Sequence, residues 1–212
     1  EIELGELVHA LGGVGAIAVI AVAERGNFLH APDTYMKKIA CGPRSRGRIS
    51  LEKPPEENIR IVAETMGKKV SDVTVVILDR PRHEELIARV RKVGARIRLI
   101  GDGDVSAAIA PCWDESGIDM LMGIGGAPEG VIAAAGLKCL GGDFQGQLQF
   151  RNPGERERAV AMGLKEPDKI FTLEELARGS VMFCATGVTD GPLLKGVRLL
   201  PGSRGSTHSI VM

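Results

Sequence analysis

The 212-residue sequence predicts an α/β chain whose sheet is mostly parallel. Three observations carry that prediction. Between residues 72 and 140, strand-like and helix-like stretches alternate strictly. The links between them are short, a few residues each. The stretch Asp72-Val-Thr-Val-Val-Ile-Leu-Asp is rich in β-branched residues, as a buried strand is. Strand, helix, strand, helix, strand, helix in this order implies parallel strands joined by right-handed crossovers.

The elements follow in chain order. Ala16-Ile-Ala-Val-Ile-Ala-Val-Ala reads as a core strand, too short for a bilayer span and without the basic flank of a signal peptide. Glu24 to Asn27 is a turn, and the Pro-, Gly- and Arg-rich stretch 41–57 reads as an exposed connection. From Pro55, the apolar positions Ile59, Val62, Ala63 and Met66 recur at helical spacing and stop at Gly67. Strand 72–79 is followed by an amphipathic helix, Glu84 to Val93, closed by Gly94. Arg96 to Ile100 is a strand, Val105 to Ala110 a short helix and Ile118 to Met122 a third strand. After the octapeptide Gly123-Ile-Gly-Gly-Ala-Pro-Glu-Gly, an Ala-rich helix runs to about Leu140. Phe144 to Phe150 alternates like a strand, and Glu155 to Met162 is helical. Thr172 and Glu175 form a capping box, and Val181 to Ala185 and Thr207 to Met212 complete the strands.

Composition narrows the function. Lys plus Arg and Asp plus Glu are 27 each, so no net field favours nucleic acid or an anionic membrane. Aromatic residues are 3%, which disfavours base-stacking platforms. Four scattered cysteines without Cys-x-x-Cys spacing suggest neither a disulfide framework nor a zinc site, and a reducing cytoplasm is expected.

Ligands of open parallel sheets bind beyond the carboxyl ends of the strands. Three such ends are visible: Arg80-Pro-Arg-His, Asp102-Gly-Asp and Gly123-Ile-Gly-Gly-Ala-Pro-Glu. Taken singly, Arg80 and Arg82 read as solvated charges, Asp104 as a helix cap, and Pro128 and Glu129 as an ordinary helix start. Their shared place at three strand ends points instead to a phosphorylated, hydroxyl-rich small molecule. Guanidinium forks bind phosphate, carboxylates accept from sugar hydroxyls, and glycines admit backbone amides to an anion. Glu129 would repel that phosphate unless Mg²⁺ or Mn²⁺ lay between them. The octapeptide lacks the Gly-Lys-Ser/Thr ending of a P-loop, and Pro128 breaks the dinucleotide spacing. A dinucleotide-binding oxidoreductase stays as the alternative enzyme class.

The stretches Gly15-Ala-Ile-Ala-Val-Ile-Ala-Val-Ala, His30-Ala-Pro-Asp-Thr-Tyr-Met, Arg80-Pro-Arg-His, Asp102-Gly-Asp-Val, the octapeptide and Phe183-Cys-Ala-Thr-Gly-Val-Thr-Asp-Gly stand here in that order. In this order they resemble the bacterial class II fructose-1,6-bisphosphatases of the lithium-sensitive, metal-dependent sugar phosphatase superfamily. The resemblance implies a layered α/β sandwich and a gluconeogenic phosphatase that takes the 1-phosphate from fructose 1,6-bisphosphate, and in some members acts on sedoheptulose 1,7-bisphosphate. It implies that Tyr35, Arg80, Pro81, Arg82, Asp102, Gly103, Asp104 and Gly126 contact the sugar bisphosphate, and that Glu129 ligates Mn²⁺ or Mg²⁺. It also implies a cytoplasmic homo-oligomer at full length, with no nucleic-acid or membrane partner. His83 and His208 receive no role.

The family's Asp-Pro-hydrophobic-Glu/Asp-Gly-Thr metal motif falls on Glu1-Ile-Glu-Leu-Gly-Glu, where Gly5 is kept, Glu1 replaces the aspartate, and Leu4 and Glu6 replace the other key residues. Glu1 is thus a second candidate metal ligand, and no catalytic residue is assigned. The expectation is a chain incomplete for catalysis, with residues 1–54 the remnant of an N-terminal metal-binding domain and 55–212 a C-terminal substrate domain. A non-catalytic sugar-phosphate-binding remnant is the alternative to an enzyme.

Overall fold

Local sequence sets most element boundaries, and one unexpected strand sets the topology. The computed structural model describes residues 2–3 and 15–212. In chain order the elements are β1 (Ile2–Glu3), β2 (Ile17–Ala23), β3 (Tyr35–Cys41), α1 (Pro55–Met66), β4 (Thr74–Leu78), α2 (Glu84–Val93), β5 (Arg96–Ile100), α3 (Asp104–Ile109), β6 (Met120–Gly126), α4 (Ala127–Leu140), β7 (Asp143–Gln149), α5 (Pro153–Ala161), β8 (Ile170–Thr172), α6 (Leu173–Leu176), β9 (Val181–Gly187), β10 (Arg198–Leu200), β11 (Arg204–Ser206) and β12 (Ser209–Val211). Helices α1, α2 and α4 each end on a glycine in the left-handed region, Gly67, Gly94 and Gly141. Only glycine adopts that conformation without a Cβ clash, so the chain can leave each helix there.

The main sheet has six strands in the order β5-β4-β6-β3-β7-β8. β4 pairs parallel with β5 and with β6, as the alternating pattern predicts. β3 then enters antiparallel between β6 and β7, and β8 pairs antiparallel with β7. The expectation of a mostly parallel sheet is therefore corrected: the sheet is mixed, and the larger share of its pairings is antiparallel. The physical cause is β3. Strands β6 and β7, joined through α4, do run in the same direction, but β3 lies between them and supplies both with main-chain partners. A second sheet, β1-β2-β9-β12, is antiparallel throughout.

Layering follows from which faces are apolar. One core cluster gathers Ile39, Ile59, Val62, Val75, Ile77, Ile87 and Val90, where α1 and α2 cover one face of the six-stranded sheet. The other gathers Met36, Val76, Leu121, Val131, Leu137, Phe144 and, from the second sheet, Val19, Phe183 and Ala185. Helix α4 lies between the two sheets and buries nearly every residue from Gly130 to Leu137, which explains why it lacks a polar face. Val131, Ile132 and Leu137 each contribute roughly 1.5–3 kcal/mol through burial. Gly136 lets it approach closely, since a Cβ there would sit 3.0 Å from Ile109 and 3.3 Å from Phe183. The order is helix, sheet, helix, sheet: a layered α/β architecture. Among the described residues no helix is long and apolar enough to cross a membrane.

Candidate functional site

The carboxyl ends of β4, β5, β6 and β7 lie along one edge of the main sheet. Because β3 runs the other way, its first residue lies at that same edge: Tyr35 is in register with Gly126 on one side and Gln149 on the other. Leu78 is in register with Ile100, and the Asp79 amide donates to the Ile100 carbonyl at 2.8 Å, so the Arg80 and Asp102 loops leave side by side.

The octapeptide is not a loop. Its first four residues form the last half of β6, paired to β3, and its last four open α4. β4 pairs with β6 only at Met120 and Leu121, so beyond them the two strands diverge and leave a crevice. Two side chains from the β4 loop bridge that crevice. Arg82 donates from Nε and Nη2 to the Ile124 carbonyl at 3.1 and 2.8 Å. His83, 1% exposed, accepts from the Ile124 amide at Nε2 (2.7 Å), which leaves Nδ1 to donate to the Leu78 carbonyl at 2.7 Å. Accepting at Nε2 requires the neutral ring, whereas Nδ1 can donate in either state. Burial, reinforced by nearby Arg82 and Arg80, holds its pKa below the ordinary histidine value, against the bond to Leu78.

Tyr35 sits between two cations. The Arg82 guanidinium carbon lies 4.8 Å from the ring centroid and that of Arg151 lies 5.3 Å away. Arg151, just past the end of β7, is anchored by Glu155, which is 2% exposed. The Glu155 carboxylate accepts from the Arg151 amide at 2.8 Å, the Thr34 hydroxyl at 2.7 Å and the Arg151 Nε. Those bonds, the Arg151 amide foremost, pull its pKa down to about 2. Thr34 returns the link, since its carbonyl accepts the Ala127 amide at 2.8 Å, tying the start of α4 to the start of β3. A cleft of about 840 Å³ opens here, lined in part by Asp33, Tyr35, Gly126, Pro128, Glu129 and Arg151.

On the α3 and α4 side, the buried Lys38 of β3 (3% exposed) places Nζ 2.6 Å from Asp104 Oδ2 in the first turn of α3. Asp104 packs on Gly125, where an added Cβ would lie 2.1 Å from Oδ2. Glu129 folds over Gly126 in the same manner, with Oε2 1.9 Å from where a Cβ would be. Both glycines are there to admit carboxylates from neighbouring turns.

Of the residues named from the sequence, Tyr35 and Arg82 meet at one ring, and Asp104, Gly126 and Glu129 cluster at the β6–α4 junction. Pro81 begins the short turn before α2, and Gly103 begins α3 at φ 84°, where a glycine is required. Arg80 and Asp102 reach the same edge but are held locally: Arg80 donates to the Asp79 carbonyl at 2.9 Å, and Asp102 accepts from the Gly103 amide at 3.0 Å. Glu1 lies outside the described residues. Among those described, no group of three or more His, Cys, Asp or Glu gathers as a metal site.

Lys38, Arg151 and Glu155 were not foreseen, and His83 was set aside. One signal was legible for Lys38: in Tyr-Met-Lys-Lys-Ile-Ala-Cys the lysines are adjacent, so a strand must turn one of them inward. Arg151 and Glu155 stand four apart around Asn152, which caps α5, and no motif marks them as a site.

Comparison with known proteins shows the family of the chain. Residues 3–212 match the family described as bacterial fructose-1,6-bisphosphatase, glpX-encoded. A protein of Synechococcus sp. (strain JA-3-3Ab), named D-fructose 1,6-bisphosphatase class 2/sedoheptulose 1,7-bisphosphatase, is 48% identical over 211 residues, covering 93% of this chain and 61% of its own. A protein of the same name from a Synechocystis strain is 46% identical over 221 residues, covering 98% of this chain and 64% of its own. The chain thus spans 61% to 64% of the length of these relatives. With the match running from Glu3 to the last residue, the chain belongs to the glpX-encoded, class II fructose-1,6-bisphosphatase family.

Proposed function

We propose that this chain carries the sugar-bisphosphate site of a phosphatase that hydrolyses the 1-phosphate of fructose 1,6-bisphosphate to fructose 6-phosphate and phosphate. The observation that carries the proposal is the grouping at one sheet edge: guanidinium groups over the Tyr35 ring and, at Gly126 directly across the β3–β6 pair, the Glu129 carboxylate beside a helix start. A phosphorylated sugar held beside a metal-ligating carboxylate matches that grouping. The relatives' names also include sedoheptulose 1,7-bisphosphate, which is longer by one carbon and is the second substrate of the proposal.

Each group has a stated task. Arg82 and Arg151 take the phosphate distal to the bond that breaks, with Tyr35 holding both guanidinium planes in place. Arg80, beside them, adds positive charge. Asp102 and Asp104 accept from sugar hydroxyls. The start of α4 faces the reacting phosphoryl group with the positive end of its dipole. His83 and Arg82 close the crevice between β4 and β6 and so fix the backbone on which these groups sit.

The proposal includes Mn²⁺ or Mg²⁺, which supplies positive charge to the phosphoryl oxygens and acidifies a bound water. Glu129 fits as one ligand: its carboxylate is folded against Gly126, with Oε2 out of contact with solvent. The described residues fit one protein ligand and not a full shell.

Phosphate release from fructose 1,6-bisphosphate with Mn²⁺ or Mg²⁺ tests the reading. Turnover that disappears in Glu129→Gln supports it. A second reading, sugar-phosphate binding without turnover, draws support from the single fitted carboxylate. Calorimetry showing fructose 6-phosphate binding without metal, and no phosphate release under any metal, would select that second reading. Absence of both binding and release would end both.

A further inference from the structure

We infer that Lys38 is a positioning residue that fixes Asp104 for the ligand, and that Gly125 of the octapeptide is there to hold this pair. The inference rests on the sugar-phosphate reading and adds to it a residue, a partner and a reason for that glycine.

Consecutive lysines in β3 meet opposite fates because a strand turns alternate side chains to opposite faces. Lys37 is exposed. Lys38 is 3% exposed and shares its face with Met36 and Ala40, both 0% exposed. Its directly opposed neighbours are Gly123 in β6 and Gly146 in β7, so no side chain flanks it across either strand. The stem instead runs toward α4, where a Cβ on Gly130 would lie 3.3 Å from Lys38 Cε. Nζ ends 2.6 Å from Asp104 Oδ2. An added Cβ on Gly125 would lie 2.1 Å from that same oxygen and 3.1 Å from Nζ. The pair is therefore seated on Gly125, where a side chain would displace Asp104; at Gly130 an added Cβ would meet Met36 Sδ first, at 2.5 Å.

Stability alone does not account for such an arrangement. A desolvated ion pair in a sheet core is no better for stability than a well-packed apolar pair of the same volume. What the pair does provide is a fixed carboxylate. Oδ2 is taken by the ammonium, while Asp104 keeps 12% of its side chain exposed at the sheet edge. Oδ1 is the oxygen left to accept from a ligand hydroxyl. Lys38 also joins three segments, β3, the start of α3 and the β6–α4 junction, that are distant in sequence and must be in register for the site to exist. Lys38 acts through Asp104 and is not itself assigned to the ligand.

The test uses the full chain and four variants: Lys38→Met, Lys38→Met with Asp104→Asn, Gly125→Ala, and Lys37→Met as control. Fructose 6-phosphate binding is measured by calorimetry at a temperature where circular dichroism shows each protein folded, alongside Tm and amide hydrogen exchange. Lys38→Met and Gly125→Ala are expected to weaken binding at least tenfold and to speed exchange at the Gly103–Ser106 amides. Lys37→Met changes neither. The double variant, with two neutral partners, is expected to recover much of the lost Tm but not the affinity, a split that a purely structural pair would not produce. Wild-type affinity in folded Lys38→Met, or exchange at Gly103–Ser106 no faster than in wild type, overturns the inference. If Lys38→Met does not fold, Gly125→Ala gives the same decision. Failure of the wild type to bind sugar phosphate would sink the functional reading, while the exchange comparison would still judge the role of Lys38.

Discussion

Two aspartate–lysine pairs sit at opposite edges of the same sheet, with the same 2.6 Å separation and opposite designs. At the amino edge, just before β6, Asp119 is 3% exposed and Lys68 is 37% exposed. Both Asp119 oxygens are spoken for: Oδ1 by Lys68 and Oδ2 by the Thr74 amide at 2.8 Å. At the carboxyl edge the burial is reversed, with the lysine inside and the acid at the surface. The first arrangement closes on itself and staples β4 to the entry of β6. The second leaves an acceptor at the sheet edge, on a side chain that is 12% exposed. Bond length does not separate a staple from a site; which partner faces solvent does.

The largest effects expected from this contrast are on stability. Asp119→Ala leaves the Thr74 amide without its partner, and a buried unsatisfied amide costs about 1–3 kcal/mol. Urea denaturation should show a loss of about 2–3 kcal/mol, with ligand affinity unchanged in the folded protein. Asp104→Asn should cost a comparable amount of stability, roughly 3 kcal/mol, because the buried Lys38 ammonium loses its counter-charge, but unlike Asp119→Ala it should also weaken sugar-phosphate binding roughly tenfold, or ~1.4 kcal/mol. Equal effects of the two variants on affinity would break the distinction between the edges.

Next in size are the arginines. Arg82→Ala and Arg151→Ala each remove a charge-assisted contact worth about 1.5–3 kcal/mol, so affinity for fructose 6-phosphate should fall roughly 10- to 100-fold. Arg82→Ala also frees the Ile124 carbonyl, and Arg151→Ala leaves Glu155 without its guanidinium. Both should lower Tm, Arg151→Ala the more, because Glu155 is the more deeply buried partner. Calorimetry and thermal melts measured on the same samples check both statements.

These contrasts also show where the sequence was readable. α2 and β5 were legible to the residue, because their apolar positions repeat at helix and strand periods and need no distant partner. β3 was not. Its period-2 pattern is interrupted by Lys38, which is tolerable inside only because Asp104 arrives from 66 positions later in the chain. Missing that one strand is what made the sheet look mostly parallel. The glycines of β6 misled for a related reason, since glycine is depleted from strands and reads as a turn. Here the missing side chains make room for Asp104 and Glu129. The strand-end loops were correctly placed at one edge, but which side chains touch across them depends on register, and that became visible only with β3 in position.

Acid should act on two groups of the carboxyl edge, His83 and Glu155, in separate windows. His83 has a folded pKa below its ordinary value, so the unfolded chain binds the extra proton first as pH falls. Its contribution to stability is complete above about pH 6.5 and is lost as pH drops from there through the folded value. Glu155, at about 2 when folded, contributes fully above the ordinary carboxyl range near 4.3 and loses that contribution as pH falls toward 2. Unfolding free energies from urea titrations at pH 8 to 5 should therefore decline in the wild type, by at most about 1.4 kcal/mol per pH unit for one proton. His83→Gln should flatten that decline. An unchanged slope would mean that the Ile124–His83–Leu78 bridge does not depend on the neutral ring.

The smallest expected effect concerns Tyr35, and it separates two roles of one side chain. The ring faces Arg82 at 4.8 Å and Arg151 at 5.3 Å, and each such contact is worth about 0.5–1 kcal/mol at an exposed site. Tyr35→Phe keeps the ring and removes the hydroxyl, whereas Tyr35→Leu removes both. If the ring chiefly orders the guanidinium groups, Tyr35→Phe should change fructose 6-phosphate affinity by less than about twofold, and Tyr35→Leu by roughly three- to tenfold. If the hydroxyl itself donates to the phosphate, the two variants should be equally impaired. The first pattern would make Tyr35 a support for the arginines, as Gly125 is for Lys38 and Asp104; the second would move it into direct contact with the ligand.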